Sequence, residues 1–140
     1  MAILFFEEDI RFSLPTKNKY KKWLKSIAAL DEFSVGELNY VFCSDDYLLQ
    51  VNVDYLNHDT YTDIITFDQS DEERIIAGDI FISIDRVREN STKEGTTFEE
   101  ELLRVMSHGL LHLMGYKDKK AEDKKTMRAM EENSISLFGK

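Results

Sequence analysis

The chain has three histidines in 140 residues, and two of them, His108 and His112, stand four apart in a stretch of helical periodicity. Four residues along a helix return to the same face one turn on. Two imidazoles placed this way can hold one metal ion between them. Gly115 follows, where a glycine can end the helix in left-handed backbone, and Asp118 comes three residues later, within reach of the same point. Two helical His and a carboxylate beyond a glycine turn make three ligands with one position open. That is the arrangement of catalytic rather than structural zinc. The expectation is one Zn2+ per chain, held by His108, His112 and Asp118. Asp118 also stands where it can cap a following helix. An ion so held acts as a Lewis acid toward phosphate and lowers the pKa of a bound water to about 7. Two neutral His and one Asp leave a divalent ion about +1 in formal charge, so attraction for phosphate survives.

The elements that must carry these residues are legible from pattern. Thr97-Phe98-Glu99-Glu100 is a capping box, and it opens a helix from Phe98 to Met114, closed by Gly115. A last amphipathic helix is expected from about Ala121 to Leu137, with Met127 and Met130 as core. Upstream, Ile3–Phe6 reads as a strand, and Pro15-Thr16 opens a helix with Thr16 as its N-cap. Tyr20, Trp23, Leu24, Ile27 and Ala28 form one apolar stripe of that helix. Glu37–Cys43 reads as a second strand, and Ser44 as the cap of a helix through about Leu56. Thr62–Phe67 and Ile76–Ile84 read as a third and a fourth strand, joined as a hairpin. A short charged helix from Asp85 precedes the break at Gly95-Thr96. The expected fold is α+β, a small mixed or antiparallel four-stranded sheet packed with about five helices, one of them a zincin-like metal-site helix. The length fits a single metallohydrolase domain over residues 1–140.

Composition narrows the function. With 18 Lys and Arg against 27 Asp and Glu, the net charge is -9, which argues against holding nucleic acid by overall charge. The single cysteine, Cys43, cannot form a disulfide within the chain and reads as a small buried residue. No signal-peptide pattern and no membrane-length apolar run is present, so a cytoplasmic protein with no membrane partner is expected. The bases cluster: Lys17–Lys25 holds five and Lys117–Arg128 six. Such runs are either solvated helix faces or, if they share one side of the fold, a channel for a phosphate backbone.

The spacing matches the metzincin proteases except that their general-base Glu, directly after the first His, is here Gly109. More specifically, Ser107-His108-Gly109-Leu110-Leu111-His112-Leu113-Met114-Gly115-Tyr116 resembles the signature of the YbeY family, metal-dependent endoribonucleases of ribosomal RNA maturation. Thr62-Asp63-Ile64-Ile65-Thr66-Phe67 and Gly78-Asp79-Ile80-Phe81-Ile82-Ser83 resemble two further family segments, so the likeness spans about residues 37 to 118. The resemblance implies a single-strand-specific, zinc-dependent endoribonuclease acting in 16S rRNA 3′ end maturation and ribosome quality control. The partners it implies are ribosomal RNA, the small ribosomal subunit and its proteins, and an assembly GTPase. Two departures stand out. The family's third ligand is His, here Asp118, and a family Arg after a Tyr is here Leu56, after Tyr55. His58 can partly replace that cation or be a plain loop histidine. With Lys117 and Lys119 it is a candidate substrate-binding residue. Glu101, two turns before His108, is either a general base or an exposed helix-start carboxylate. The competing functions are a non-catalytic ribosome-assembly factor with a structural metal, favoured by the missing Arg, and a metal hydrolase on peptide, disfavoured by Gly109.

Overall fold

The computed structural model describes residues 2–138. Its elements run β1 (Ala2–Glu8), α1 (Lys17–Leu30), β2 (Ser34–Cys43), α2 (Asp45–Leu56), β3 (Ile64–Asp68), β4 (Ile75–Ser83), α3 (Ile84–Glu94), α4 (Phe98–Leu113) and α5 (Ala121–Leu137). The α+β class, the four strands and the five helices agree with expectation. The sheet has the order β1-β2-β4-β3. It is mixed: β1 with β2 and β2 with β4 are parallel, and only the β3–β4 hairpin is antiparallel. The parallel pairs follow from the helices α1 and α2, whose lengths let the chain cross over and re-enter the sheet in the same direction.

The main core lies between one face of the sheet and α1, α4 and α5. Tyr40, Phe42, Ile80 and Ile82 of the strands meet Leu24, Ile27, Met106, Leu110 and Leu111, all fully buried. The five-residue stripe of α1 is buried throughout, and Trp23 Nε1 donates to the Ser134 carbonyl of α5 at 2.6 Å. A smaller cluster of Cys43, Leu48, Val51 and Ile65 lies on the other face, under α2. Burial raises the Cys43 thiol to about 12, so it is unreactive, as a small core residue should be.

Caps explain most helix starts. Ser44, Ser83 and Thr97 accept from Tyr47, Arg86 and Glu100 backbone N–H groups at the heads of α2, α3 and α4. Thr16 departs from expectation. It precedes α1 in left-handed backbone (φ 47°), and its side chain makes no cap bond; its carbonyl instead receives the Lys19 and Tyr20 N–H groups. Gly78 is required by close approach, since a Cβ there would lie 2.2 Å from the Phe67 carbonyl oxygen across the hairpin.

Candidate metal centre

The inner helix α4 is held by burial along its length, with Leu102, Leu103, Val105, Met106, Leu110 and Leu111 in the core. His108 and His112 occupy the strip of α4 that stays half-open. Their rings stand 4.6 Å apart, edge to face at 78°. The helix then closes in a Schellman turn: Gly115 N–H donates to the His112 carbonyl and Tyr116 N–H to that of Leu111, each at 3.0 Å. Gly115 sits at φ 104°, a backbone that favours glycine. Tyr116 OH donates to the Asp31 carboxylate at 2.7 Å and ties the turn to the end of α1. The chain thereby returns Asp118 to the two rings. Asp118 Oδ2 lies 3.2 Å from His108 Nε2 and 3.3 Å from His112 Nε2. One ligand atom from each of the three residues lies within 4.8 Å of the others. Asp118 does not cap α5, whose N-cap position is Lys120. Two imidazole nitrogens and a carboxylate oxygen suit a divalent ion of the zinc type.

Behind the candidate ligands stands a residue that sequence reasoning missed. Glu131 of α5, almost fully buried, accepts from His108 Nδ1 at 2.6 Å. Such a carboxylate sets the tautomer, leaving Nε2 free for a metal. The signal was present: Glu131 shares the buried stripe of α5 with Met127 and Ser134, where a charge is out of place. Burial opposes protonation of His108, but the hydrogen bond and charge of Glu131, then Asp118 and Asp63, outweigh it and raise the pKa. Arg104, one turn before His108, pairs with Glu131 at 3.4 Å and Glu132 at 2.7 Å and locks α5 to α4.

Beside His108 and Asp118 opens a cavity of about 310 Å3, with Asp63, Glu101, Arg104, His108, Asp118, Arg128 and Glu131 in its wall. Glu101 is therefore not an exposed helix-start carboxylate. It is 6% exposed, and desolvation raises its pKa against the pull of Arg104. A larger cleft of about 820 Å3 also borders Gly115 and Tyr116, but it gathers no histidine, serine or cysteine. Gly109 explains itself by packing. A Cβ there would meet Ile80 Cγ2 at 2.9 Å and Ile64 Cδ1 at 3.0 Å. The position faces the sheet, and a side chain of glutamate size has no room.

The model of the family described as Endoribonuclease YbeY matches residues 5–139. The chain belongs to the YbeY endoribonuclease family. It is 54% identical over 136 residues to the Endoribonuclease YbeY of Cytophaga hutchinsonii, covering 97% of this chain and 95% of the relative. The corresponding protein of Flavobacterium johnsoniae is 46% identical over 133 residues, with 95% of each chain covered. A solution structure from Thermotoga maritima matches with a TM-score of 0.70 and 27% identity, over 98% of this chain and 89% of that one. The His108–Tyr116 segment thus lies within a YbeY match that covers nearly the whole chain.

Within that YbeY fold, the remaining candidates divide between positions beside Asp118 and positions away from it. Lys117 and Lys119 flank Asp118 and are exposed. His58 is exposed after α2, its N–H on the Asn52 carbonyl at 3.1 Å, and it does not line the metal-site cavity. Tyr55 and Leu56 are 72% and 41% exposed. Among the described residues, no helix is long and apolar enough to cross a membrane.

Proposed function

We propose that this chain is a single-domain, zinc-dependent endoribonuclease that cuts single-stranded ribosomal RNA. It acts in 16S rRNA 3′ end maturation and ribosome quality control, in the cytoplasm, with the small ribosomal subunit and an assembly GTPase as partners. The observation that carries it is the convergence of His108, His112 and Asp118 at one point on the helix-and-turn motif of an endoribonuclease family. When bound, a divalent ion supplies Lewis acidity toward the phosphoryl oxygens and a lowered pKa for water. Every other contribution comes from the chain. Glu131 holds the His108 ring by its Nδ1–H. The Schellman turn at Gly115 presents Asp118. Lys117 and Lys119 meet the phosphate backbone beside the centre, and His58 contacts RNA farther out. Glu101, whose burial favours the protonated form, stands in the cavity wall, where a proton can be held near the scissile bond. The closed position of Gly109 disfavours a peptidase of metzincin type.

The test is metal analysis of the purified chain, followed by incubation with single-stranded and duplex ribosomal RNA and with casein. The expected result is about one zinc per chain, cutting of single strands only, and loss of both in His112→Ala. Cutting that persists undiminished in His112→Ala points to another nuclease. RNA binding with intact metal and no cutting leaves the assembly-factor reading, which the absence of an Arg at Leu56 favours.

A further inference from the structure

The cations of this chain are distributed by face. The four strands and α2 contain no Lys or Arg at all. These same elements build the face of the sheet that α4 does not cover. Strand alternation puts Leu4, Phe6 and Glu8 of β1 there, with Asn39 and Val41 of β2 and Asp79 and Phe81 of β4. Helix α2 covers only the part toward β3, over Cys43 and Ile65. Leu4 and Phe6 remain 43% and 44% exposed on the uncovered part.

Between α2 and the sheet lies a cavity of about 270 Å3 with an aromatic wall of Tyr47, Tyr55, Phe67 and Phe81. Tyr55 and Phe67 meet edge to face at 5.9 Å, and Phe67 and Phe81 at 5.7 Å. The same cavity contains Asp79. Its carboxylate accepts from Asn39 Nδ2 at 2.9 Å and Gln69 Nε2 at 3.5 Å, and it has no cation within ion-pair distance among the described residues. Glu8 of β1 and Asp46 and Asp54 of α2 add further negative charge to the same elements.

Aromatic faces beside an uncompensated carboxylate suit a guanidinium, which stacks on the ring and pairs with the acid. An RNA backbone is repelled by that field, and so is the same face of a second copy. We propose that this face docks an Arg- and Lys-bearing segment of a partner protein. One arginine enters the aromatic cavity at Asp79, and apolar residues of the segment cover Leu4 and Phe6. The inference rests on this face alone and does not depend on what the metal centre cuts.

The test uses the full chain, isotope-labelled, titrated with a short synthetic peptide of alternating Arg and Leu. A Glu-Leu peptide and a mixed-sequence single-stranded RNA are the other arms. The Arg-Leu peptide should shift amide signals of β1, β2, β4 and α2 and weaken as salt is added. The Glu-Leu peptide should shift none of them. Asp79→Asn should weaken binding about tenfold and Tyr55→Ala roughly fivefold. Leu4→Lys and Phe6→Lys, both at exposed positions, should abolish it and leave zinc binding intact. The proposal is overturned if the Arg-Leu peptide binds the helical face, or binds Phe6→Lys undiminished. RNA shifts of β1, β2 or β4, or dimerisation through this face in sedimentation, would overturn it equally.

Discussion

At the scale of single residues, the centre is built from an outer and an inner carboxylate around His108. Asp118 is half-exposed and faces both Nε2 atoms, while Glu131 is buried and takes Nδ1. Replacing such a supporting carboxylate commonly costs about 10–100-fold in metal affinity. Glu131→Gln should therefore lower zinc affinity by that factor with the fold retained, as read by competition with a chelating dye and by circular dichroism. Glu101 makes a separate, pH-dependent prediction. Burial raises its folded pKa, so its contribution to stability is present below its unfolded value of about 4.3. It is lost as pH rises through the folded value. Glu101→Gln should consequently raise the melting temperature at pH 7 and leave it unchanged near pH 4. An equal effect at both values would assign the change to packing instead.

At the scale of elements, α4 does two jobs that conflict at Gly109. The helix must lie close on β3 and β4 to aim its histidines, and glycine is the worst ordinary helix former. Closeness wins: a Cβ meets Ile80 Cγ2, an atom of a fully buried branched side chain. Gly109→Ala adds about 1 kcal/mol of helix propensity and about 1–3 kcal/mol of overpacking. A net loss of about 1 kcal/mol is expected in urea unfolding. Gly78→Ala meets backbone rather than a side chain and should cost about 3 kcal/mol or more. It should also loosen the hairpin, seen as faster amide exchange in β3. Both glycines were visible in the sequence as parts of motifs. Only the strand–helix and strand–strand distances say why they are glycine.

At the scale of the whole molecule, the charge of -9 divides into regions. The strands and α2 are acidic, while Lys117, Lys119 and Lys120 adjoin the candidate metal centre. Non-specific RNA binding should be weak, with a log–log salt slope of about -0.7 per phosphate contact. Lys117→Ala and Lys119→Ala should each reduce that slope by about 0.7 in filter-binding or anisotropy titrations. Metal couples to the same global stability. Zinc at 100 times its dissociation constant should add about 2.7 kcal/mol, or roughly 8 °C in melting temperature. Chelator should remove the gain, and His108→Ala should show none.

The sequence alone carried the local part of this protein. Periodicity located all nine elements, a four-residue spacing put His108 and His112 on one helical face, and Gly115 marked the turn toward Asp118. Those are properties of neighbouring residues, and backbone sterics and side-chain period suffice for them. The direction of the strands, the burial of Glu101 and the pairing of Glu131 with His108 were decided only in three dimensions. They depend on how α5 packs across α4 and how crossovers order the sheet as β1-β2-β4-β3. Glu131 lies 23 residues from the ring it holds, and no local rule relates positions that far apart.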